Sequence, residues 1–205
     1  MSIDLVKEAE CLNIPSKTPN PRLCVIENTV VIENEISKVL ARRLEINIRT
    51  SKVFGNSIKA LSFNTKVEIL KDLNFIEKET KAKFELLMFI RNQFAHNTNA
   101  DKYLNLWSIN KSETRKLIRF YSIEDSFESL KDNQKEKEVK GCIYILISEL
   151  LTWLKEIDFS ITVTRMTDEY FAKSGKFPAL EQLLYELRDL PGGEDLINRV
   201  FYQEE

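Results

Sequence analysis

The chain of 205 residues contains one histidine, His96, set in the string Phe89-Ile90-Arg91-Asn92-Gln93-Phe94-Ala95-His96-Asn97. Imidazole, with an ordinary pKa of about 6.5, can take a proton from a ribose 2′-hydroxyl or deliver one to a leaving oxygen. A guanidinium five positions earlier, Arg91, can hold a phosphate in bidentate fashion as charge builds on it. The carboxamide of Asn92 can orient the imidazole or the phosphate. These types together suit cleavage of an RNA phosphodiester without a metal, so Arg91, Asn92 and His96 are the candidate catalytic residues. No cofactor is expected. A single histidine and three cysteines (Cys11, Cys24, Cys142) at wide spacings make neither a ligand cluster nor a disulfide framework. Both glycine-rich phosphate loops, G-x-x-x-x-G-K-[ST] and G-x-G-x-x-G, are absent from the sequence.

Spacing sets what these groups can do together. Asn92 and His96 are i and i+4, neighbours on one helix face. Arg91 falls about 140° round from His96 if the helix runs on, at about 100° per residue. The pair converges better if the helix ends near Ala95 and the chain turns back, or if a second copy supplies the missing group. A purely structural use of the same residues is also open: Arg91 pairing with a carboxylate, Asn92 capping backbone groups, His96 ending the helix.

The elements that must carry these residues are helical. Of five prolines, three are Pro15, Pro19 and Pro21 and the next is Pro178; only Gly55, Gly141 and Gly175 lie between Pro21 and Pro178. So few breakers predict a mostly helical chain. Residues 1–26 read as a leading segment with a proline-rich turn. A first helix is expected over 27–45, with Thr29, Ile32, Ile36, Val39, Leu40 and Leu44 facing inward. A second starts near Thr65, where Thr65-Lys66-Val67-Glu68 has the capping-box form, and turns Val67, Leu70 and Leu73 inward. A third spans about 77–95 and buries Phe84, Leu87, Met88 and Phe94. The sequence Asn97-Thr98-Asn99-Ala100-Asp101 is turn-like. Residues 104–107 form an anchored loop, and 111–120 a helix. The strongest pattern covers 136–157: Val139, Cys142, Ile143, Leu146, Leu150, Trp153, Leu154 and Ile157. This helix is either central to the core or shared with a second chain. Residues 158–205 form a C-terminal extension with one strand-like run, Ser160 to Thr164, and helices over 178–190 and 194–202.

Net charge is −2, yet residues 35–121 hold 17 Lys/Arg against 9 Asp/Glu, and the remainder 13 against 23. That asymmetry permits a basic face on an acidic protein. Arg42-Arg43, Arg115-Lys116 and Arg119 could line an RNA groove, or could be solvated surface. Cys142 reads as core, Trp107 and Trp153 as bundle anchors, and the carboxylate pairs Glu77/Glu79 and Glu136/Glu138 as surface. No apolar run approaches the ~20 residues of a membrane span, and the N-terminus has no secretory pattern. The cytoplasm is the expected location, with no membrane partner.

The R-N-x-F-A-H string resembles the R-x(4–6)-H motif of HEPN domains, in the form where a polar residue follows the arginine. Residues 61–76, LSFNTKVEILKDLNFI, resemble the L-S-F-x-x-K-I-x-L-L-x-x-L-G-L-I block of mannitol operon repressor-like proteins, which also carry an I-R-N-x-F-A-H string. The resemblance covers roughly 27–157 and is tight over 61–97. It implies an all-α HEPN-like helical bundle with a small C-terminal extension, dimerising with the motif at the subunit interface. It implies metal-independent endoribonuclease activity of toxin–antitoxin or phage-defence type, with Arg91 and His96 as the catalytic pair and Asn92 in support. Expected partners are RNA, a second copy, and an antitoxin or regulatory protein. HEPN toxins controlled by a partner nucleotidyltransferase extend the motif to H-x-Y; Thr98 stands at that place here, which puts that mode of control in doubt. The alternative is a non-catalytic regulatory or interaction protein of the mannitol repressor-like kind, using residues 160–205 to hold a protein partner. A DNA-binding repressor fits least, because no helix-turn-helix with a basic recognition helix is found.

Overall fold

With no proline between Pro21 and Pro178, the backbone can keep its i→i−4 ladder over long runs, and the computed structural model is an all-α bundle. It describes residues 20–55, 57–121 and 127–174, together with 184, 185 and 188. The elements are α1 (Pro21–Arg43), α2 (Phe63–Asp72), α3 (Lys78–His96), α4 (Asn105–Ile109), α5 (Lys111–Tyr121) and α6 (Asp132–Ser174). The expected helix over 194–202, that over 178–190 apart from the helical residues 184, 185 and 188, most of the leading segment and Cys11 lie outside the described residues.

Caps, rather than the apolar stripe, set where helices start. The Asn20 side chain accepts the Leu23 N–H at 3.2 Å and Pro21 sits in the first turn, so α1 starts six residues before Glu27. It ends at Arg43, which leaves Leu44 at 43% exposure rather than in the core, while Thr29, Ile32, Ile36, Val39 and Leu40 are buried as expected. Ser62 Oγ accepts the Thr65 N–H at 3.2 Å, so α2 begins at Phe63. The capping box at Thr65 is not used; Glu68 instead pairs with Lys81 of α3 at 2.6 Å.

α6 is the central strut. Val139, Cys142, Ile143, Leu146, Ile147, Leu150 and Leu154 are all buried, and the helix packs against α1, α3 and α5. Burial, with the Glu138 charge behind it, pushes the Cys142 thiol up to about 12, which makes it an inert core group. Phe84 of α3 is fully buried with its ring centroid 6.1 Å from Phe63 and 5.9 Å from Trp153. Lys66 on α2 reaches Glu33 on α1 at 2.8 Å, and Lys83 on α3 reaches Glu149 on α6 at 2.7 Å. The Tyr121 hydroxyl of α5 donates to the same Glu149.

The strand-like run at 160–164 is helical, within the last turns of α6. Its β-branched threonines turn their hydroxyls onto the helix: Thr162 donates to Asp158 O at 2.8 Å and Thr164 to Ser160 O at 2.9 Å. No strand exists among the described residues for it to pair with. Local β preference is therefore outweighed by continuation of an existing helix.

Arg42 ties this part of α6 to α1, with Nη1 2.9 Å from Asp158 Oδ2 and 2.6 Å from Thr162 Oγ1. Asp158 Oδ1 is buried and has no hydrogen-bond partner among the described residues. Burial raises the Asp158 pKa, against the pull of Arg42. A carboxyl whose pKa rises on folding stabilises the fold below its ordinary pKa; that contribution is lost as pH climbs through the raised value. We expect Asp158→Asn to gain in melting temperature relative to wild type as the pH goes from 3 to 7. A difference that stays flat or shrinks over that range, measured by calorimetry, would show that burial does not dominate at Asp158.

Candidate functional site

Ile90 and Phe94 anchor the buried side of α3. Four-residue spacing then places Asn92 and His96 together on the outer side, both exposed, with Gln93 half-buried beside them. The helix ends at Asn97, whose N–H donates to Gln93 O at 2.9 Å. The chain then turns as its composition predicts: Asn99 N–H donates to Asn97 Oδ1 at 3.0 Å and Ala100 N–H to Asn97 O at 3.1 Å. Asn92, Gln93, His96, Asn97 and Thr98 line an open depression of about 560 Å³.

Two distant elements hold this turn. Arg22, in the first turn of α1, donates Nη2 to Asn97 O at 3.0 Å and to Ala100 O at 3.4 Å. Glu136 of α6 accepts the N–H groups of Tyr103 and Leu104 at 3.1 and 2.7 Å, and the Tyr103 ring meets Phe94 edge-on at 5.8 Å. The sequence carried no sign of Arg22, which lies 75 positions from its partner Asn97. Arg22→Ala strips Ala100 O of this partner and leaves Asn97 O with only the Ala100 N–H, and should cost about 1–2 kcal/mol, with faster hydrogen exchange at the Asn99 and Ala100 amides. Unchanged exchange at both amides would remove Arg22 from this task.

Arg91 behaves differently. The helix does not stop at Ala95 but runs through His96, so Arg91 and His96 lie about 140° apart round the axis and about 7.5 Å apart along it. Arg91 is half-buried and is not among the residues lining the depression. Its Nη1 donates to Asn92 Oδ1 at 3.0 Å. Among the described residues it has no carboxylate partner. One chain thus brings Asn92 and His96 together and connects Arg91 to them only through Asn92.

The other basic candidates are largely paired. Arg42 meets Asp158; Arg115 and Lys111 meet Glu128 at 2.6 and 3.2 Å; Lys116 meets Glu113 at 2.6 Å. The Arg115 and Lys111 charges hold the Glu128 carboxyl below its ordinary range. Arg43 lies over the Phe75 ring at 5.9 Å. Trp107 packs on Phe127 at 4.8 Å and Trp153 on Phe84, each half-buried, as anchors. Among the described residues no three His, Cys, Asp or Glu side chains cluster as metal ligands, and no helix is long and apolar enough to cross a membrane. Comparison of the chain with protein-family models, with curated proteins and with solved structures finds no match.

Proposed function

We propose that this chain is a metal-independent endoribonuclease of toxin or defence type, acting as a homodimer. The observation that supports it is an exposed imidazole, His96, with no hydrogen bond to any described residue, set beside Asn92 in an open polar depression. The likeness of the R-N-x-F-A-H string to the HEPN motif supports the same reading. In the reaction the ribose 2′-oxygen forms a bond to phosphorus and the bond from phosphorus to the 5′-oxygen breaks. The 2′-hydroxyl proton passes to imidazole, and the departing 5′-oxygen receives a proton from imidazole. Arg91 and Asn92 carry the charge that builds on the non-bridging oxygens. Since Arg91 and His96 point apart on one helix, the guanidinium that serves a given imidazole comes from a second copy. Work in the cytoplasm, under the control of an antitoxin or regulatory protein, belongs to this reading.

Mixing tests the composite site. Arg91→Ala and His96→Ala protomers, each inactive alone, should recover about a quarter of wild-type cleavage when unfolded and refolded together, because half the dimers then hold one intact site. Cleavage is read in EDTA as 2′,3′-cyclic phosphate ends. No recovery from two individually folded, dimeric variants would reject a shared site.

The position of Arg91 outside the depression favours one other reading, a regulatory or interaction protein that binds without cutting. Binding of RNA by wild type with no cyclic phosphate formed would select it.

A further inference from the structure

The depression presents hydrogen-bond donors, and the orientation of each amide follows from partners that can only donate. A guanidinium has no acceptor, so the Asn92 atom that meets Arg91 Nη1 is the amide oxygen. A backbone N–H likewise donates only, so the Asn97 atom that meets Asn99 N–H is its oxygen. Asn97 therefore turns Nδ2 toward Gln93, and the Gln93 atom that receives it, at 3.3 Å, is Oε1. Each of the three amide oxygens already accepts one hydrogen bond from within. Asn92 Nδ2 and Gln93 Nε2 make no hydrogen bond to any described residue. The Thr98 hydroxyl and the imidazole beside them can also donate. No carboxylate lines the depression.

We infer that Asn92, Gln93 and Asn97 form an acceptor-reading shelf, with Gln93 Nε2 as a substrate-binding donor, for an RNA group that offers acceptors only. RNA groups that fit that chemistry include the non-bridging phosphate oxygens and the guanine edge carrying O6 and N7, the two that the test below separates. Edges with an exocyclic amino group, as on adenine and cytosine, would set donor against donor. The identity of the ligand as RNA rests on the function proposed above; the donor pattern does not.

The test uses binding, so it does not depend on cleavage. The full-length protein, labelled with ¹³C and ¹⁵N, is titrated with non-cleavable 2′-O-methyl hexanucleotides AAAAAA and AAGGAA. The sole histidine, His96, gives one imidazole signal to follow. Gln93→Glu keeps Oε1 for Asn97 and exchanges only the outward donor for an acceptor; Gln93→Met removes the donor without adding charge. Binding should weaken by about tenfold or more for Gln93→Glu and by a smaller factor for Gln93→Met. Equal affinity for both hexanucleotides assigns the shelf to phosphate, and a clear preference for AAGGAA assigns it to guanine; either supports the inference. Binding that is unchanged or strengthened in the folded Gln93→Glu and Gln93→Met proteins would overturn it, as would a His96 signal that no hexanucleotide moves. If the all-ribose hexanucleotides are bound but never cut, the nuclease reading fails while this one stands.

Discussion

His96→Ala should lower RNA cleavage by about 10²–10⁴-fold, the usual contribution of a positioned general acid–base. Stability should stay within about 0.5 kcal/mol of wild type, as for other surface substitutions. The two expectations have one cause. The imidazole is exposed and makes no hydrogen bond to any described residue, so removing it leaves no buried group unpaired. Ile90 and Phe94 keep the helix end in place without it. Initial rates on a fluorogenic RNA in EDTA, set beside calorimetric melting of the same preparations, check both. Cleavage that survives His96→Ala would place the reaction elsewhere or in a contaminant. A large fall in melting temperature would instead show that the histidine is a structural helix end.

Phe84→Ala should show the opposite pattern, a loss of about 3–5 kcal/mol in stability. Phe84 is fully buried, and its ring meets Phe63 and Trp153 edge-on, so the substitution opens a cavity where α2, α3 and α6 come together. Edge-on aromatic pairs add about 0.5–1.5 kcal/mol beyond burial, which places the expected value toward the upper part of that range. For a chain of this size the melting temperature should drop by about 10 °C. Urea denaturation measures the free energy directly. A cost below about 1.5 kcal/mol would mean the three helices close over the gap. At temperatures where the variant stays folded, its cleavage rate should match wild type, because Phe84 lies two turns from Asn92 on the inner side of the helix.

Much of the helical plan was legible because it rests on short-range rules. Inward faces on α1, α3 and α6 follow from 3.6-residue periodicity, and Thr29 through Leu40, Phe84, Leu87 and Val139 through Leu154 lie where that period puts them, save half-buried Trp153. Errors came where two local rules competed. Ser62 outranked Thr65 as a cap, and Asn20 with Pro21 extended α1 beyond its apolar stripe. At 160–164 the β-branched residues read as strand in isolation. Attached to an established helix, they add hydrogen bonds at no new nucleation cost.

The candidate site divides along the same line. Composition and spacing alone determined that the chain is helical, that its lone imidazole sits at the end of a helix, and that Asn92 shares a face with it. Those are relations within a few residues, imposed by the backbone ladder. Only the tertiary structure decided that Arg22 clamps the turn after His96 and that Arg42 meets Asp158 and Thr162 across 116 and 120 positions. Contacts of that kind depend on how amphipathic faces from remote segments settle against one another. Periodicity states which face turns inward and leaves open which side chain it will meet.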